Sequence, residues 1–271
     1  MISVRHSMVG LFSAIWRYRG FIVNSIINEF KIRFARSKLG GFWMLLQPLS
    51  QVLIYALILS TVMAAKLPSI DNRYGYAIYL MSGTLAWTLF NEIVTRCLSM
   101  FIDQANMMKK MQFPRITLAC IVAGGAFLNH LILFAAIVLI FSALGYFPAC
   151  AFMWLPLLML ALVAFSIGVG LILGVLNVFM RDITHFVPIL LQLGFWATPI
   201  VYPLSIIPER LQHYLRYNPL YVFVQGYQDL ILYGRTPPFE QVLVILFLSC
   251  LLLGLGLFIF RRASPEMVDV L

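Results

Sequence analysis

With 271 residues, 62% of them hydrophobic and 11% charged, the chain is too apolar for a soluble domain, where about 25% of residues carry charge. A mean hydropathy of +0.94 marks an integral membrane protein, and no polar stretch is long enough to house a soluble enzyme domain. The net charge of +9 suits lipid head groups or a protein partner at a membrane surface, and no nucleic-acid partner is expected. Cys97, Cys120, Cys150 and Cys250 are scattered without C-x-x-C or metal-ligand spacing and read as packing residues. No cleavable signal peptide is expected, because the first apolar run starts near Phe21 and lacks a cleavage signature.

In chain order, the first informative stretch is 21–65. Ile22, Val23, Ile26, Ile27, Phe30 and Phe34 recur at helical spacing, with Asn24, Ser25, Asn28, Glu29 and Lys31 opposite and Arg33, Arg36 and Lys38 following. Such a helix lies in the plane of an anionic membrane surface, apolar face down. From Leu39 to Ala65 there is no charge, which is long enough to span a bilayer. Phe42 and Trp43 sit where an interfacial anchor belongs, and Pro48 favours a kink inside the span. Taken alone, these residues equally describe an ordinary juxtamembrane helix with its stop-anchor.

Six windows are long enough to cross: 40–65, 75–98, 116–146, 152–180, 183–203 and 240–260, each near the ~20 residues a bilayer requires. Arg5, Arg17, Arg19, Lys31, Arg33, Arg36 and Lys38 precede the first window. Arg96, Lys109, Lys110 and Arg115 flank the second connection, Arg181 the fourth, and Arg261 and Arg262 follow the last window. Only Lys66, Arg73, Arg210, Arg216 and Arg235 fall on the other side, so the positive-inside rule places both termini in the cytoplasm. The expected fold is all-α, one domain: a cytoplasmic segment 1–38 with its interface helix, a six-span bundle 39–260 and a cytoplasmic tail 261–271.

The region 204–239 is apolar enough between Tyr217 and Tyr233 to suggest a seventh crossing, yet holds Asn218, Gln225, Gln228 and Asp229. A seventh span would put Arg261 and Arg262 outside, so short re-entrant helices are expected, punctuated by Pro199, Pro203, Pro208 and Pro219. A plain outer loop with an amphipathic helix is the alternative. In the fourth window Ser166, Gly170 and Gly174 recur every fourth residue and permit close helix approach.

The windows are nearly empty of ionisable groups, which disfavours proton- or sodium-driven transport. Glu92, Arg96 and Asp182 lie toward cytoplasmic ends, and Asn129-His130 reads as a hydrogen-bonded packing pair, since no carboxylate shares its span. Neither H-E-x-x-H, G-x-S-x-G nor G-x-x-x-x-G-K-[ST] is present, so catalytic, cofactor-binding and metal residues are not expected in this chain. Between the second and third windows, Asp103 caps a short helix that Lys109 and Lys110 close and Pro114 stops. Met107, Met108, Met111 and Phe113 add adaptable apolar contacts, the composition of a docking surface or of a charged loop tucked beneath the bundle.

Several stretches together carry a family resemblance. The run from Phe30 to Trp43, with Gln47-Pro48 behind it, resembles the start of an ABC-2 type permease of the polysaccharide-export branch, which handles O-antigen, capsule and teichoic acid chains, and stands nearest the O-antigen permeases. Arg181-Asp182, the run from Pro188 to Gln192, Phe195-Trp196 through Pro203, and Asn218-Pro219-Leu220 resemble later signatures of the family. The resemblance implies that Phe30, Lys31, Arg33 and Arg36 belong to the interface helix. It also implies that Asn106, Met107, Lys109, Lys110, Met111, Gln112, Phe113, Pro114 and Arg115 form a coupling helix docked on a separate ATPase.

ATP and Mg would be bound by that partner and not by this chain. The resemblance further implies a homodimer with two ATPase copies in a bacterial inner membrane, exporting an undecaprenyl-linked polysaccharide for lipopolysaccharide or capsule. Export of a lipid or small amphiphile, or a non-transport membrane protein, are the alternatives. Pyranose rings pair their C–H faces with π-faces, so a conduit is expected among Tyr55, Trp87, Phe195, Trp196 and Tyr202, although membrane aromatics also form interfacial belts.

Overall fold

A computed structural model describes residues 13, 15–34, 42, 43, 46, 50, 75–110, 113–143 and 150–270. Every regular element among the described residues is helical. The first window, 40–65, with Gln47, Pro48 and Tyr55, lies largely outside them, as do Arg36, Met111 and Gln112.

Helix α1 spans Arg19–Phe34, α2 Gly75–Asp103, α3 Ala105–Lys110 and α4 Ile116–Ala143. A short 3₁₀ turn, Cys150–Trp154, leads into α5, Leu155–Phe179, and α6 follows at Ile183–Trp196. The remainder comprises α7 (Glu209–Arg216), α8 (Pro219–Gln228), α9 (Phe239–Ala263) and α10 (Met267–Val270). Among the described residues, four helices are long and apolar enough to cross a membrane: α2, α4, α5 with its leading turn, and α9.

Helices α2, α5 and α9 run in one direction and α4 in the other, as contacts at their ends show. Tyr76 and Tyr79 at the start of α2 meet the chain at 199–202, while Asp103 at its end adjoins the α3 connection. One end therefore holds residues 104–110, 113–115, 180–182 and 264–270. The other end holds 150–154, 197–208, α7 and the start of α9. Lys109, Lys110, Arg115, Arg181, Arg261 and Arg262 all lie at the first, hereafter the basic end.

The fifth window departs from its expected length. Expected over 183–203, its helix stops at Trp196, and 14 residues rise only about 21 Å against a bilayer core of ~30 Å. Pro188 lies inside it, and Pro199 and Pro203 lack the N–H groups needed to continue. The carbonyls set free are taken elsewhere: Tyr76 Oη donates to the Val201 oxygen (2.8 Å) and Tyr79 Oη to those of Pro199 (3.0 Å) and Tyr202 (3.1 Å).

Beyond this turn, 204–239 forms short helices and no seventh crossing. Asn218 caps α8, its side chain accepting from the Leu220 N–H (3.0 Å), with Pro219 at the first helical position. Tyr221, Phe223, Val224, Tyr227 and Gln228 bury α8 against α2 and α5. A π turn, Asp229–Tyr233, extends it, and Gly234 (φ 60°) reverses the chain back toward the start of α9.

The core is the α2–α5–α9 stack. The small residues of α5 serve packing within the chain: Gly170 and Gly174 face Cys97 of α2, and Gly168 lies against the backbone of Leu252 and Gly256 in α9. Helix α1 packs on α4, burying Ile22 and Ile26 while Val23 and Ile27 stay exposed. Half of its expected apolar stripe thus meets protein.

Candidate functional site

The basic end gathers α1, the last turns of α2, α3, the start of α4 and the chain terminus. Asp103 was expected to cap α3, but its carboxylate accepts instead from Ser99 Oγ within α2 (2.6 Å). In α3, Met108 is buried and Met107 half-buried, whereas Asn106, Lys109 and Lys110 face outward. Met107 and Met108 therefore anchor the helix to the bundle and leave a polar, cationic outer face. Phe113 also turns inward, its ring 5.9 Å from that of Phe21 on α1. Pro114 closes the connection, its carbonyl accepting from Thr117 N (2.9 Å) and Oγ1 (2.7 Å).

Arg115 has a partner within the chain. Its Nη1 donates to the Ser264 carbonyl and to Ser264 Oγ (2.9 Å), and burial lowers its guanidinium pKa from the ordinary value. The tail continues into α10, where Met267 is fully buried and the helix packs on α5 and α3. Asn177 near the end of α5 donates to the Leu98 carbonyl (2.7 Å) and accepts from Thr184 Oγ1 (2.6 Å), joining α5, α2 and α6.

A cleft of about 510 Å³ opens where α1, α2 and α4 meet. Ser25, Asn28 and Glu29 form one wall, Arg96, Ser99 and Asp103 the floor, and Gln104 and Met107 the rim beside α3. Arg96 Nη2 lies 2.6 Å from both Glu29 carboxylate oxygens, and Nη1 lies 3.5 Å from Glu92 Oε1. Asn129 Nδ2 of α4 donates to the other Glu92 oxygen (2.8 Å). Sequence reading missed this row, because it sought a carboxylate for Asn129 within its own span and the carboxylate comes from the neighbouring helix.

The sequence profile described as ABC-2 type transporter matches residues 22–232, taking in α1, α2, the α3 connection and everything through the π turn. The chain belongs to the ABC-2 type transporter family. It is 32% identical over 247 residues to an O-antigen export system permease protein RfbA of Klebsiella pneumoniae, covering 90% of this chain and 92% of that protein. An RfbA of Myxococcus xanthus is 28% identical over 264 residues, 97% of this chain and 99% of the relative. The polysialic acid transport protein KpsM of Escherichia coli is 27% identical over 246 residues, 89% and 93% respectively.

In this ABC-2 transporter chain the expected conduit aromatics divide by exposure. Trp87 is 7% exposed, sealed beneath Phe195 (5.6 Å, edge-on) and Gly194, so within one subunit it presents no open face. Phe195 is half-buried, and Trp196, set edge-on to it at 5.5 Å, is 50% exposed. Tyr202 donates its hydroxyl to the Trp196 carbonyl, fixing the end of α6. Phe186, Ile189, Leu190 and Leu193 continue the exposed face of α6 toward the basic end.

Of the interface-helix residues, Phe30 is half-buried, Lys31 is exposed, and Arg33 lies in α1 with its side chain outside the described set. His130 is buried in α4 beside Tyr227 (Nε2 to Oη 3.3 Å), and its Nδ1 has no partner among the described residues. No group of His, Cys, Asp and Glu among the described residues is arranged to hold a metal ion.

Proposed function

We propose that this chain is the membrane subunit of an ATP-driven exporter that moves a lipid-linked polysaccharide out of the cytoplasm. It works as a homodimer with two copies of a separate ATPase, which binds ATP and Mg. The names of the relatives support the polysaccharide, and the undecaprenyl carrier is the expectation for such a chain in an inner membrane. The basic end faces the cytoplasm, with both termini on that side, since cationic connections are retained there.

The observation that carries the reading is the build of α3. Met107 and Met108 root it in the bundle, while Asn106, Lys109 and Lys110 form a short cationic outward face. A lever must be fixed at one side and available at the other. Phe113, just beyond α3, packs against Phe21 of α1, and Met107 lines the cleft beside α1, so a push on α3 has a route to α1 as well as to the bundle. At the far end of α6, Trp196 offers an open π-face on which pyranose rings slide, each contact weak.

One export assay with three variants tests this reading. The chain is coexpressed with the proposed partner ATPase, and surface glycan and copurified ATPase are both measured. Lys109→Glu with Lys110→Glu removes the cationic face and is expected to lose both the ATPase and export. Trp196→Ala is expected to retain the ATPase and lose export, and Trp196→Leu to restore little. Normal export by the lysine variant, or full rescue by Leu, overturns the respective assignment.

A further inference from the structure

Arg96 is a cation with two anionic partners on different elements. It lies seven residues before the end of α2, about 10 Å into the helix. Glu92 sits one turn deeper on the same helix, and Glu29 belongs to α1. The carboxylates are 30% and 23% exposed and the guanidinium 22%, so none is fully hydrated. The close pair is Glu29, with both oxygens at 2.6 Å, while Glu92 stands off at 3.5 Å with its other oxygen held by Asn129. On α4, Gly125 leaves room for the guanidinium: a Cβ there would lie 3.0 Å from Arg96 Nη1.

We propose that Arg96 is an exchange latch for α1. Paired with Glu29 it positions α1 on the α2–α4 face; when α1 lifts, Arg96 turns to Glu92. Stripping a partly buried arginine of its sole counter-charge is strongly unfavourable, and would lock α1 in place. A second carboxylate, pre-aimed by Asn129, removes most of that cost and brings the lifted arrangement within reach, with the docked one still favoured. Besides the Arg96–Glu29 pair, α1 docks through Ile22 and Ile26, its buried apolar residues among those described, and through Phe21 against Phe113. The void needed for movement already exists, since the 510 Å³ cleft lies between α1 and α2. The rim residues Gln104 and Met107 place the signal for release at α3. The latch goes beyond the export reading and stands without it, for it concerns α1 and not the cargo.

A brace and a latch give opposite answers to one comparison. Hydrogen exchange of the amides in 19–34 is followed for the full chain in lipid nanodiscs, with no ATPase present. Glu29→Gln is expected to speed α1 exchange about tenfold, equivalent to ~1.4 kcal/mol of docking. Glu92→Gln removes the competitor for Arg96 and is expected to slow it about threefold, or ~0.6 kcal/mol. Acceleration by both variants means a fixed structural network, and no change in either means that α1 is held by other contacts; each overturns the proposal. Should Glu29→Gln fail to insert, Glu29→Asp keeps the charge, shortens the reach, and is expected to accelerate exchange in the same sense.

Discussion

The two ends of α2 are fastened by different chemistry. At its start, Tyr76, Tyr79 and the Gln228 amide donate to carbonyls of 199–202, all neutral groups in a closed setting. At its finish, Arg96 faces two carboxylates beside an open cleft, and the next element is a six-residue helix. The acceptors of Tyr76 and Tyr79 all lie on one turn, 199–202, so a change of acceptor leaves the same elements together and that end has one arrangement. A guanidinium with two acceptors has two. The molecule is thus rigid where an apolar chain folds back on itself and adjustable where its cations gather.

The comparison presumes a stiff shaft between the ends, and the most damaging change is one that breaks the shaft. A Cβ at Gly168 would lie 2.4 Å from the Leu252 carbonyl carbon and 2.6 Å from its oxygen, backbone atoms that cannot step aside. Gly168→Val is expected to force α5 and α9 apart at a cost of about 3 kcal/mol or more. Size-exclusion chromatography should show little monodisperse protein. Gly254→Ala on α9, where nothing lies within 4 Å, should behave as wild type and serves as the control.

A smaller effect separates the two ends directly. Tyr79→Phe leaves the Pro199 and Tyr202 carbonyls without their phenol donor, a loss of about 1–3 kcal/mol for buried acceptors. Glu29→Gln at the other end removes a half-hydrated ion pair and should cost global stability only ~0–1 kcal/mol. Thermal unfolding of both variants checks the order. Equal losses would mean that the basic end is as fixed as the other.

Much of this architecture was legible in residue patterns. Windows with little or no charge gave α2, α4, α5 and α9, and prolines marked where the fifth window breaks. Asn218-Pro219 announced a helix start, and the glycines of α5 announced close packing. What eluded the sequence was partnership. Tyr76 meets Val201 and Arg96 meets Glu29 across long stretches of chain, and periodicity says which face is apolar without saying what covers it.

The same limit applies within the docking stretch. Met107, Met108 and Phe113 looked like contacts for a partner because they adjoin lysines, yet they anchor the connection inward. Arg115 looked like an outward cation and instead clasps Ser264 in the chain's tail. Tyr55, Arg36, Met111 and Gln112 lie outside the described residues, so their expected roles stand as proposals.

The smallest expected effect is a pH dependence at the rigid end. Asp229 opens the π turn after α8, and burial raises its carboxyl pKa above the ordinary value, with Arg235 opposing in part. A carboxyl whose pKa is raised on folding binds its proton more tightly in the folded state. Its stabilising contribution is therefore full below the unfolded pKa and is lost as pH rises through the folded one. At neutral pH the ionised group burdens the turn slightly. Asp229→Asn keeps the backbone carbonyl that accepts from Arg235 N (2.9 Å) and removes the charge. The variant should unfold at a slightly higher temperature than wild type at pH 7, with the difference shrinking as the pH falls toward 4. A variant less stable than wild type at pH 7 would show that attraction to Arg235 outweighs burial, and that a charge pair helps to hold the end here described as neutral.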